Sequence, residues 1–174
     1  MSNQIPERLI NFTVYGEGNR IIGVADAKLP SIEMMTETVS GAGIAGELES
    51  GTLGHFKPMT VSLKWRTLTS AGTKLFLSSS HQVDFRGSQP RFMMAGTGKY
   101  KTVSYSGFNE AKPKKLDLGS LQVAKATDSE NEFEVLYIKL FIDGKEVLEI
   151  DKLNFICIFD GEDILKSVRD DLGL

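Results

Sequence analysis

A chain of 174 residues, 41% apolar and 25% charged, lies in the ordinary globular range and suffices for one domain with an unstapled core, which excludes wholesale disorder. A net charge of −3 argues against gripping nucleic acid through a basic surface, and a single cysteine, Cys157, rules out an intrachain disulfide and fits a reducing cytosol. Met1 to Arg8 lacks the apolar segment of a secretory signal and no apolar run nears the roughly 18 residues of a membrane span, so the expectation is a soluble protein made in the cytoplasm.

Leu9 to Tyr15 alternates, with Ile10, Phe12 and Val14 on one side, and predicts a strand closed by the turn residues Gly16 to Asn19. A second strand is predicted over Arg20 to Leu29, ended by Pro30, with Gly23, Ala25 and Ala27 on one face where another layer could approach. Ile32 to Ser40 is a weaker strand candidate. The following Gly41-Ala42-Gly43-Ile44-Ala45-Gly46 matches the dinucleotide-binding spacing, but its context is wrong for that chemistry. Glu47 and Glu49 would repel phosphate, Gly51 and Gly54 would interrupt the required helix, and Val61 to Arg66 supplies no carboxylate for a ribose. On its own residues the stretch reads as a mobile surface loop.

Pro58 to Arg66 alternates most clearly, with Met59, Val61, Leu63 and Trp65 facing a core and Thr60, Ser62, Lys64 and Arg66 facing away. Leu68, Ala71, Leu75 and Ser78 then fall at helical spacing, predicting the main helix between Thr69 and Ser80 with Thr69 or Ser70 as N-cap. Strands resume at His81 to Arg86 and Phe92 to Tyr105. A polar connection of about 106–131, carrying Lys112-Pro113-Lys114-Lys115, reads as an extended hairpin or a functional loop. Asp143-Gly144 divides the apolar runs Phe133 to Ile142 and Lys145 to Ile150, which predicts a hairpin with a two-residue type I′ turn. Leu153 to Phe159 is apolar at nearly every position and predicts a strand covered on both faces, with Cys157 as a small buried hydrophobe. Ile164, Leu165, Val168 and Leu172 predict a short terminal helix, with Glu162 and Asp163 near its start and Lys166 and Arg169 later, as the helix dipole prefers.

Candidate chemistry is thin. His55 and His81 have no metal-ligand spacing, Asp143, Glu149 and Asp151 are explained by the hairpin, and no nucleophile elbow, Walker loop or zincin motif occurs. No catalytic, cofactor or metal residue is therefore assigned, which argues against an enzyme. Lys112 to Lys115 has no interleaved aromatic residue for base stacking and reads as solvated.

The order Tyr137, Lys139, Asp143, Gly144, Lys145, Glu146, Glu149, Asp151 and Asn154 resembles the C-terminal signature of the major tail tube proteins of contractile-tailed phages and R-type bacteriocins. The ending through Arg169, Gly173 and Leu174 is similar to that family's terminus as well. The resemblance implies a mainly β fold, an antiparallel two-sheet sandwich or partial barrel with one flanking helix and a short C-terminal helix, related to the ring-forming tube protein of type VI secretion. It implies a single tail tube domain over 1–174 in which the glycine-rich stretch of about 40–57 is an arm or loop reaching neighbouring subunits. Gly41, Ala42, Gly43, Ile44, Gly46 and Glu47 are the interface residues this suggests. It further implies hexameric rings stacked into a tube inside a contractile sheath, ended by baseplate and tail-terminator proteins. The tube would carry DNA in a phage or ions in a bacteriocin, after synthesis in the host bacterial cytoplasm. A second reading is a monomeric β-sandwich module binding carbohydrate or protein, with Trp65 and Tyr100 as platform aromatics.

Overall fold

A computed structural model describes residues 4–6, 8–16, 19–21, 23–43, 45–77, 81–93 and 100–174. In chain order the elements are β1 (Gln4–Pro6), β2 (Asn11–Gly16), β3 (Asn19–Ile21), β4 (Val24–Lys28), β5 (Met34–Val39), β6 (Leu48–Phe56) and β7 (Thr60–Trp65). Then follow α1 (Ser70–Lys74), β8 (His81–Met93), β9 (Tyr100–Asp117), β10 (Ser129–Ile142), β11 (Lys145–Asp151), β12 (Ile156–Phe159), β13 (Glu162–Asp163) and α2 (Lys166–Leu172). The fold is mainly antiparallel β with two helices, as expected. The larger sheet runs β13-β12-β11-β10-β9-β8-β2-β3, with β1 on β8 and with β7, which also carries β4, on β10. It curls without closing, and β5 and β6 form a separate two-stranded sheet.

The core sits inside the curl. Met59, Val61, Leu63 and Trp65 are all buried, as the alternation of this segment predicts, against Val83, Phe85, Phe133, Val135 and Ile150. Thr69 is the N-cap of α1, its hydroxyl accepting from Gly72 N, and Gly72 lies against the Trp65 indole. Asn131 joins the two: its Oδ1 accepts from Trp65 Nε1 at 2.8 Å and its Nδ2 donates to Gly72 O at 3.1 Å. Removing either partner would leave a buried polar group unsatisfied. Trp65 is 1% exposed and so cannot act as a binding platform.

Strand β10 organises the sheet by changing partners along its length. Its first half pairs with β7 (Ser129↔Trp65 to Glu134↔Thr60) and its second half with β11 (Tyr137↔Asp151 to Ile142↔Lys145), while β9 runs along its other edge. A bulge between Val135 and Tyr137 separates the halves. One extra residue inverts the side-chain phase. Ser129, Asn131, Phe133 and Val135 accordingly point inward before the bulge, and Ile138 after it.

Several sequence expectations require correction. The predicted strand over Arg20 to Leu29 divides at Gly23, whose φ of 101° suits a residue without Cβ. A register shift between Val24 and Asp26 then turns Val24 and Ala27 toward the core and leaves Ala25 exposed, so Gly23, Ala25 and Ala27 do not share a face. Ile10 precedes its strand and is 63% exposed. The helix is shorter than predicted: Phe76 N and Leu77 N bond three residues back and end α1 in turns, and 78–80 lie outside the described residues. Of the predicted strand at Phe92 to Tyr105, Phe92 and Met93 finish β8, Tyr100 opens β9 and 94–99 lie outside the described residues.

The polar connection of about 106–131 is mostly strand. Lys112 to Lys115 belongs to β9, and only residues 118–128 connect it to β10. Pro113 is tolerated because pairing with β8 stops at His81↔Ala111 and the β10 register shifts beside it. The third run begins pairing only at Ile156. Leu153 is 68% exposed in a tight turn and Phe159 also reaches solvent, so that strand is not covered along its whole length. Residues 48–56, read as loop, form β6.

Candidate assembly surfaces

The glycine-rich stretch is the tip of a protruding hairpin. β5 and β6 pair from Val39↔Leu48 to Thr36↔Gly51, then the register jumps to Met34↔Phe56. Every residue of β5 is exposed, including Met34, Met35 and Val39, and Leu48 and Leu53 are exposed on β6. An isolated two-stranded hairpin is marginally stable in water at best. Here these apolar side chains stand exposed rather than packed in a core. Gly41, Ala42, Gly43, Gly46 and Glu47 lie at or beside the tip, fully outside the core, and Ile44 lies outside the described residues. Gly43 (φ 97°) and Gly46 (φ 127°) make the reversal possible. Met34, Met35 and Val39 fall within the strand predicted over Ile32 to Ser40, whereas on β6 the glycines at 51 and 54 break the alternation that would reveal Leu48 and Leu53 as strand residues.

The base of this arm is tied to the body. Lys57 N donates to Glu33 O at 2.9 Å and the two side chains pair at 3.2 Å. Ile32 and Phe56 pack against the core. Gly54, with a φ of 75°, rests on Leu165: a Cβ there would lie 2.6 Å from Leu165 Cδ2.

The hairpin β10–β11 and the turn after it hold the signature residues, most of which have a partner within the chain. Asp143 (φ 54°) and Gly144 (φ 77°) both take positive φ, the type I′ geometry the sequence predicts. Lys139 Nζ bridges Glu146 Oε2 at 2.8 Å and Glu149 Oε2 at 3.0 Å, and Tyr137 OH donates to Glu149 Oε1 at 3.0 Å. Burial pushes the Glu149 carboxyl up, but hydrogen bonds from Lys139 and Tyr137 outweigh it and hold the group below its ordinary value. Burial and then the Glu149 contact push the Tyr137 phenol up to about 12. Lys145 pairs with Asp160 across the turn end. Asp151 accepts from the amides of Leu153 and Asn154 at 2.9 and 3.0 Å and from Asn154 Nδ2 at 2.7 Å, which folds the chain back toward β12.

The C-terminus is clasped similarly. Arg169 pairs with Asp163 and donates from Nη1 to Phe155 O at 2.8 Å. Its guanidinium holds the Asp163 carboxyl below the ordinary carboxylate range. Gly173 takes φ 72°, and the bonds Leu174 N to Arg169 O (3.0 Å) and Gly173 N to Asp170 O (3.3 Å) close α2 as a Schellman motif.

Among the described residues, no group of three or more His, Cys, Asp or Glu could hold a metal ion, and no helix is long and apolar enough to cross a membrane. His55 is exposed on β6 and His81 is buried edge-on to Phe133, 6.2 Å between ring centroids. Carboxylates and cations at the hairpin are absorbed in structural pairs, while apolar groups stand on a projecting arm.

Residues 6–173 match the phage tail tube protein FII family, and the chain belongs to it. It is similar to the tail tube protein of Escherichia phage P2, 27% identical over 183 aligned positions that cover 98% of this chain and 99% of that protein. The chain is thus a structural tail tube protein of the phage type.

Proposed function

We propose that this single domain assembles into hexameric rings that stack as the inner tube of a contractile injection particle. A contractile sheath surrounds the tube, and baseplate and tail-terminator proteins close its ends. The lumen passes DNA if the particle is a phage, or ions if it is an R-type bacteriocin, and the subunit is made in the host bacterial cytoplasm. The observation that carries this reading is the β5–β6 arm, an element with exposed apolar residues on both strands and no core of its own beyond its base. Such an arm gains its burial on an adjoining subunit, and the glycines at its tip let it fit closely there.

Negative-stain electron microscopy of the purified protein at rising concentration, with mass photometry on the same samples, tests the proposal. Sixfold rings or hollow tubes of uniform diameter are expected, formed spontaneously or on a preformed tube end. A monomer that fails to elongate even on such an end overturns the reading.

A further inference from the structure

The arm leaves its anchored base at a break in strand register, and Leu165 of the C-terminal segment packs against Gly54 there. Between Met34↔Phe56 and Thr36↔Gly51, β5 advances two residues while β6 advances five, so β6 bulges at 52–55. That bulge brings Gly54 onto Leu165, and the backbone conformation there is one only glycine adopts freely. Leu165 is 2% exposed although α2, which follows it, buries no residue. It is held from both sides: its N–H donates to Asp163 Oδ1 at 3.0 Å and its carbonyl accepts from Arg169 N at 3.1 Å. Arg169 in turn pins Asp163 and Phe155 O, and Ile164 N donates to Cys157 O at 2.9 Å.

We infer that Leu165, locked by the Asp163–Arg169 clasp, is a positioning residue that fixes the direction in which the arm projects, so that it meets the adjoining subunit already aimed. The relevance to assembly rests on the tube reading above, whereas the latch itself is a property of the monomer. A two-stranded hairpin joined through residues 32–34 and 54–58 would otherwise swing about its base, and ordering it at each docking event would slow or weaken assembly. The exposed terminal helix then gains a function: its Arg169 reaches back to hold the segment on which the arm rests.

The test uses the full chain with spin labels at Ala42→Cys on the arm and Leu153→Cys on the body, both exposed, with Cys157 buried. Pulsed distance measurement on the monomer should give one narrow distribution. Arg169→Ala should broaden it, and Leu165→Ala should broaden it further, while Leu165→Met, which conserves volume, restores it. Because Leu165→Ala also leaves a core cavity, Arg169→Ala carries the decision, with circular dichroism confirming that the sheet is kept. In the unlabelled chain, Arg169→Ala should slow elongation roughly tenfold, the effect of about 1.4 kcal/mol. A distance distribution unchanged by Arg169→Ala overturns the latch even where tubes form. A distribution that Arg169→Ala broadens, where the unsubstituted chain builds no tubes even on a preformed end, upholds the latch and overturns the tube reading.

Discussion

The C-terminal platform, β10 to α2, and the β5–β6 arm are stabilised by opposite means. In the platform nearly every signature side chain has a partner within the chain: Glu149 with Lys139 and Tyr137, Asp151 with the turn amides, Arg169 with Asp163. In the arm the strand hydrogen bonds are present but the side chains meet solvent. The platform's polar side chains are therefore satisfied within the subunit, and its apolar ones complete the core with β7 and β8. The arm has a conformation without a core, and in the proposed tube an adjoining subunit supplies the missing burial.

The largest effect should come from the platform's interior. Phe133→Ala empties a fully buried site on β10 and should cost about 3 to 5 kcal/mol in urea unfolding, lowering assembly through loss of the folded subunit. Met35→Ser on the arm inverts that pattern: monomer stability changes by no more than about 0.5 kcal/mol, since the residue is half exposed already, while tube elongation falls sharply. Should Met35→Ser destabilise the monomer as much as Phe133→Ala does, the division between the two regions is wrong.

pH sharpens the same contrast on a smaller scale. Glu149 and Asp163 titrate below their unfolded values, so their stabilising contribution is full above roughly pH 5 and is lost as pH falls through the folded-state values. Tyr137 titrates above its unfolded value of 10.0, so its contribution is full below pH 10 and is lost as pH rises toward about 12. Urea midpoints measured against pH should decline in both windows. Tyr137→Phe should flatten the alkaline limb and leave most of the acid limb. The smallest effect on the monomer belongs to Gly41→Ala, where nothing lies within 4 Å of the added methyl and the backbone is ordinary: urea stability should stay within error.

How much was legible in the sequence follows from the range of the forces involved. Asp143-Gly144 announced its turn because the conformation is set within two residues, and Met59, Val61, Leu63 and Trp65 announced a core face because a strand has a fixed period. The bulge after Val135 was not legible, since an inserted residue leaves no local mark and is revealed by its partner strand. Lys112 to Lys115 looked like loop because strand edges tolerate both charge and proline there. In the arm, Gly51 and Gly54 disguised a strand as a loop, and the contact that requires Gly54 comes from Leu165, far along the chain. The proposed interface residues at the tip follow from the family resemblance alone, because the phosphate-binding spacing they match does not fit their context. The strand residues Met34, Met35 and Leu53 carried no comparable signal.

Hydrogen–deuterium exchange, followed by mass spectrometry on the monomer and on assembled tubes, tests the division most directly. The account predicts slow exchange in β10 and β11 in both states, and fast exchange in β5 and β6 in the monomer that becomes slow in the tube. An arm already as protected as β10 in the monomer, or still unprotected in the tube, would contradict it.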